Sequence, residues 1–310
     1  MKLLTSARLR VYPMFLLGGY LILVVLILAQ LIRQWPDLRG IPGVDFAIFY
    51  CAGTMATDGV AADAYRPGLL PEHCLESHSW LAEAFPELPD VLTSWFYPPI
   101  FFLPVEVLST LHFAVALVLW LVLTGMFLAW ALRPLMTSAQ AWLVFASAPA
   151  AWYAILIGQN SFLTAGLLAL FYRSFWQSGP LAGLAIGLLC YKPHLGLVFP
   201  LVLIAYRRWS ALTVAAATVV GLSLISLLLY GISPWQVFLT ENLAIVRDKL
   251  ETGEFPLAKM GSGFVFARTL GAPVWAAETI QVVTIMLALG VLVALIRRGA
   301  SFPLVFAFAV

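Results

Sequence analysis

The stretch GPLAGLAIGLLCYKPHLGLVFPLVLIAYRR, Gly179 to Arg208, decides how this chain folds. It lies between Arg173 and the Arg207 and Arg208 pair, basic groups without an acidic neighbour, which in membrane proteins collect on the cytoplasmic side. A segment that begins and ends on one side crosses an even number of times. Gly179 to Tyr206 offers 28 residues for this, whereas each full span needs about 20. The length suits two half-length helices meeting near CYKPHLG, because Pro193 lacks a backbone donor and disfavours helix at Lys192. Broken helices persist at membrane depth only where the opened backbone is buried in protein or lines a wet cavity. The break therefore marks a candidate cavity, open to the outer side.

The rest of the chain agrees with a membrane setting. Hydrophobic residues make up 62% and charged residues 10% of it, against roughly 45–50% and ~25% in soluble domains. The expected fold class is all-α: a polytopic membrane protein, residues 1–310 forming one multispan domain with broken or short membrane helices. A net charge of +2, carried beside apolar runs, gives no footprint for nucleic acid. The first apolar run, Val11 to Ile32, follows Lys2, Arg8 and Arg10 but is too long for a signal h-region and lacks a small-residue cleavage site, so it reads as a retained span.

Orientation follows from charge. The N-terminus, Arg133, Arg173, Arg207, Arg208, Arg297 and Arg298 read as cytoplasmic, while nine of the fifteen acids lie between Asp37 and Asp90 and four more between Glu241 and Glu254. Residues 33–97 and 231–263 become two extracytoplasmic loops of a cell (inner) membrane protein. Parity then places spans at Ala141 to Ile157, Phe162 to Phe171, Ala211 to Tyr230 and Ala276 to Ile296, with another starting at Ile100. The chain ends inside the apolar run FPLVFAFAV, which suggests a truncated chain or a final span cut short, and with it site residues contributed from beyond. Cys51 and Cys74 fall in the first outer segment, where a disulfide is permitted; two buried, inert thiols are the alternative. In the same segment HCLESHSWLAEAF reads either as an amphipathic helix on the membrane surface, roofing the cavity, or as a folded connector.

Four polar motifs fall on the outer side, each with a structural and a chemical reading. Asp45, leading into FAIFYCAG, is a helix N-cap or a working carboxylate. WFYPP, with Tyr97, sets a rigid entry to the following helix through Pro98 and Pro99. Gln159 and Asn160 in GQN form a turn between spans or a polar ligand contact. Lys192, at membrane depth, costs roughly 2.5–3.5 kcal/mol to insert, and an intramembrane charge is a functional group by default, with snorkelling as the alternative. With His194 two residues on, the break suits a phosphate. Arg247, Lys249 and Lys259 in the second outer segment are further cations, more simply explained as solvated.

In order and spacing, DFAIFYCAG, FYPPIFFLPVEVL, GQNSFLTAGLLAL, the stretch from Ala182 to Trp209 and KMGSGFVFARTLGAP resemble glycosyltransferase family 87, a branch of the GT-C superfamily that uses polyprenyl-phosphate sugars. The resemblance implies a GT-C fold, an outward-facing site, and inverting transfer of a hexose, mannose in studied members, from a polyprenyl-phosphate sugar to an acceptor hydroxyl. It implies Asp45 as general base and Lys192 and His194 as contacts to the donor phosphate; by the chemistry of a leaving phosphate Tyr97 is a further candidate there, and Gln159 and Asn160 suit sugar or phosphate oxygens. The lipid-linked sugar is a substrate, so no cofactor is implied, and no spacing calls for a metal. Expected partners are the lipid bilayer, the polyprenyl-phosphate sugar and an acceptor that is a glycolipid, polysaccharide or protein. A secondary carrier also builds sites from broken helices, and a non-catalytic lipid-binding subunit needs no base, so both stand as rival readings.

Overall fold

The computed structural model describes Thr5 and residues 7–34, 42–86, 88, 95–252 and 261–310. Every regular element among them is helical. Four helices are long and apolar enough to cross a membrane: α1 (Arg8–Gln34), α6 (Phe113–Leu132), α13 (Trp209–Tyr230) and α16 (Val274–Arg297). Little of their surface is buried inside the protein, as expected where hydrocarbon is the solvent. A bent pair, α7 (Ala139–Ala146) and α8 (Pro149–Ile157), turns by 49° and provides a fifth crossing if counted as one span. The protein is a multi-pass membrane protein.

Between the crossings run shorter helices. α2 (Val44–Thr57), α3 (Leu69–Ser77), α4 (Trp80–Ala84) and α5 (Phe102–Ser109) fill the first acidic segment and the stretch after it. α5 is only eight residues long and is separated from α6 by three residues, so the helix begun by Pro98 and Pro99 is not itself a span. Gly53 brings α2 against α5, because a Cβ there would overlap the Val105 carbonyl. In HCLESHSWLAEAF the ends of α3 and α4 turn Leu81 and Phe85 inside the aromatic core, which favours the folded connector. Cys51 and Cys74 form a disulfide that ties α2 to α3. Phe49 centres this core, meeting Trp95, Tyr97, Phe101 and Trp120 edge-on at 5.6–6.2 Å.

α9 (Ser161–Ser174) leads into the broken segment. α10 (Gly179–Leu188) gives way to a 3-10 turn, Leu189–Tyr191, then Lys192 leaves helical geometry at φ −124°, ψ 74°. The short turn α11 (Pro193–Gly196) and α12 (Phe199–Ala205) return the chain to its starting end, as the proline argument requires. Gly183 and Gly187 let α10 lie directly on α13, where added Cβ atoms would meet the Ala211 carbonyl and Thr218. Residues 231–263 are not simply a loop: α14 (Ser233–Thr252) is a 20-residue helix. It packs on the first acidic segment through Tyr65 and Phe238, 5.7 Å apart, and through Arg66 and Glu241 at 3.9 Å. α15 (Gly263–Thr269) and α17 (Phe302–Ala309) complete the described chain.

The bundle has two chemically different ends. At one, the starts of α6 and α9 meet the first acidic segment, through Phe113 against Phe46 and Asn160 against Tyr97, and α14 packs on that segment. At the other, α6 and α9 finish together: Arg173 Nη1 donates to the Trp130 carbonyl at 2.8 Å, and Phe302 stacks on Phe175 at 4.0 Å. Arg133, Arg173, Arg207, Arg208, Arg297 and Arg298 all belong to this second end.

Candidate active site

The site is assembled where two left-handed glycines touch. Gly43 caps α2 at φ 111° and Gly158 ends α8 at φ 72°, conformations that L side chains rarely adopt. The Gly43 amide donates to the Leu156 carbonyl at 2.8 Å, and a Cβ on Gly158 would sit 2.5 Å from that of Phe46. The absent side chains let the start of α2 seat on the GQN turn. Asp45 is therefore not the N-cap; Gly43 is, and Asp45 lies in the first turn, where the helix dipole favours its charge.

The same seating brings Gln159 to Asp45, its Nε2 donating to the carboxylate at 2.6 Å across 114 residues of sequence. The Gln159 carbonyl oxygen in turn accepts from the Asn160 backbone amide at 2.8 Å, which fixes the orientation of the amide group. GQN is thus both a turn and a contact to the acid. Asn160 is fully buried; its Nδ2 donates to the Tyr97 hydroxyl at 2.9 Å, while its Oδ1 has no partner among the described residues.

Tyr97 stands at the centre. Burial pushes its phenol up to about 12; the Asp45 charge adds to this and the Asn160 hydrogen bond opposes it. The group stays protonated, and since the oxygen accepts from Asn160, its own proton remains to be donated. Its ring stacks near that of Tyr191 at 6.3 Å, and Tyr191 also stacks on Phe101 at 4.8 Å. The Tyr191 hydroxyl pairs with Thr164 at 2.6 Å, one turn inside α9. This bond fixes the depth of the break. Thr164 escaped the reading of the sequence, although it lies four residues after Asn160 on the same helical face.

Lys192 follows Tyr191, half-buried, and feels the Asp45 carboxylate through space without a direct ion pair to any described residue. His194 is exposed at the rim, within range of the Lys192 charge. All six candidate residues therefore gather around the break and the α2 start, with His194 outermost. Two apolar cavities flank it: one of about 160 Å³ beneath Phe101 and Tyr191, and one of about 390 Å³ between the broken helices and α13, bordered by Cys190 and Pro193. Of the other cations, Arg247 is exposed and paired with Glu251 at 2.8 Å and Glu278 at 3.2 Å, Lys249 is buried, and Lys259 lies outside the described residues.

No curated protein and no solved structure matches the chain. The sequence profile of glycosyltransferase family 87 matches residues 95–310. The match takes in Tyr97, the GQN turn and the whole broken segment, and begins after Asp45 and its helix. The chain belongs to glycosyltransferase family 87, and is a membrane glycosyltransferase.

Proposed function

We propose that the protein is an inverting hexosyltransferase that moves a sugar, mannose by the family resemblance, from a polyprenyl phosphate to an acceptor hydroxyl on the extracytoplasmic side of the inner membrane. The observation that carries this reading is geometric: Gln159 holds the Asp45 carboxylate while the next residue, Asn160, holds Tyr97, whose ring stacks near Tyr191 immediately before Lys192. The acceptor oxygen attacks the anomeric carbon as its proton passes to Asp45. The bond from that carbon to the phosphate oxygen breaks, and the polyprenyl phosphate leaves with the electron pair. Attack opposite the leaving group inverts the anomeric centre. General-base assistance of this kind is typically worth 10²–10⁴-fold.

Charge grows on the phosphate as it leaves, so preorganised donors around it lower the barrier. Lys192 supplies a fixed cation at the break, Tyr97 a neutral hydroxyl donor, and His194 a donor at the rim. Asn160 Oδ1, without a partner among the described residues, suits a sugar hydroxyl once the site opens enough to admit one. The apolar cavities beside the break suit the isoprenoid chain. Nothing in this scheme draws on a metal.

Purified protein incubated with labelled polyprenyl-phosphate mannose and hydroxyl acceptors tests the reading. Transfer of label to an acceptor with release of polyprenyl phosphate is expected. Flux across a vesicle without turnover would identify a carrier, and binding alone a lipid-holding subunit.

A further inference from the structure

At the arginine end, away from the proposed transfer site, lies a cavity of about 630 Å³ walled by Arg173, Gln177, Ser178, Trp176 and Tyr172. Through Leu135, Tyr172 and Pro303 it shares its wall with an apolar groove of about 550 Å³ that runs along α9 and α17 past Leu168 and Phe306. A polar chamber opening into a greasy channel has the outline of one amphiphile. We infer that it is a binding site for an anionic glycerophospholipid of the leaflet on that side, headgroup in the chamber and an acyl chain in the groove.

The charge balance selects the headgroup. Arg173 is held rigidly: Nη1 donates to the Trp130 carbonyl, and the guanidinium lies 3.7 Å over the Trp130 ring. Its Nε and Nη2 have no partner among the described residues. Arg208 sits 5.5 and 5.6 Å from the rings of Phe175 and Trp176, the latter forming the cavity wall, and it too lacks an ion pair. The sequence contains no acid between Glu106 and Glu241, and none after Glu278. The contrast with the opposite end is direct, since Arg66 and Arg247 there are each paired with carboxylates. An anion bound from the leaflet would supply the charge that no carboxylate among the described residues brings to Arg173 and Arg208. Trp176, 56% exposed, gives the chamber mouth the aromatic character found at bilayer interfaces. Basic pockets between helices on the cytoplasmic side are known to take lipid headgroups.

The test is native mass spectrometry and thermal unfolding of the full chain in detergent, titrated with phosphatidylglycerol, phosphatidylcholine or inorganic phosphate. Phosphatidylglycerol is expected to be retained and to stabilise, and the other two are not. Arg208→Gln should weaken retention about fivefold, and Arg173→Gln by a similar factor. Arg297→Gln with Arg298→Gln, at the same end but outside the cavity, should leave it unchanged. Should Arg173→Gln fail to fold because α6 loses its carbonyl contact, Arg208→Gln and the groove-filling Leu168→Trp carry the decision; the latter should reduce lipid retention without creating phosphate binding. Equal retention of the two lipids, stabilisation by inorganic phosphate alone, or an equal loss in the Arg297 and Arg298 control would each overturn the site.

Discussion

Gly158 shows how much a single residue without a side chain determines here. Its φ of 72° and the 2.5 Å approach to the Phe46 Cβ leave no room for a methyl group. Gly158→Ala is expected to destabilise the protein by roughly 1–3 kcal/mol, read as a lower unfolding temperature in detergent, and to cut transfer activity by displacing Gln159 from Asp45. Lys192 acts on a different level. In the proposed scheme its ammonium meets the donor phosphate, and hydrogen bonds to charged groups are worth about 1.5–3 kcal/mol. Lys192→Met should therefore raise the donor KM on the order of tenfold or more while the unfolding temperature holds; an unchanged KM would remove Lys192 from the donor site. Lys192 could be singled out from the sequence because an amine beside Pro193 in an apolar run has few bland explanations. The partner of Asp45 could not, since Gln159 lies 114 residues away and local pattern carries no information on such pairings.

Among the elements, the broken segment was legible and the connectors were not. Twenty-eight residues between two basic ends leave one economical solution, and the structure adopts it at Lys192. The second acidic segment escaped because hydropathy finds spans, whereas α14 is polar overall. Its signal was periodic: Trp235, Phe238, Asn242 and Lys249, at spacings of three, seven and fourteen, share the inward face. The reading of Asp45 as a cap failed for a related reason, since Gly43 supplies the left-handed start that seats α2. The first acidic segment depends on its disulfide. Cys51 and Cys74, separated by 23 residues, close a loop whose cross-link contributes about 3 kcal/mol in the chain-entropy account. Replacing both by Ser should lower the unfolding temperature, and reductant should do the same to the native protein but not to the double variant. An unchanged unfolding temperature in the double Ser variant would show that the bridge contributes nothing.

On the scale of the whole molecule, charge divides the bundle. Carboxylates, the glycine seat and the helix break lie at one end, and Arg173 and Arg208, without an ion pair among the described residues, lie at the other. Sequence alone revealed this polarity because insertion sorts charge along the chain. It did not reveal that both acidic segments fold onto one another through Tyr65 and Phe238, which depends on side-chain shape. Under the proposed function, the end that holds Asp45 and the helix break is where acceptor and lipid-linked donor would meet. The most direct test is the rate of sugar transfer by Asp45→Asn, measured on protein whose unfolding temperature matches the native chain. The account predicts a fall of about 10²–10⁴-fold with donor binding retained; transfer at the native rate would contradict it.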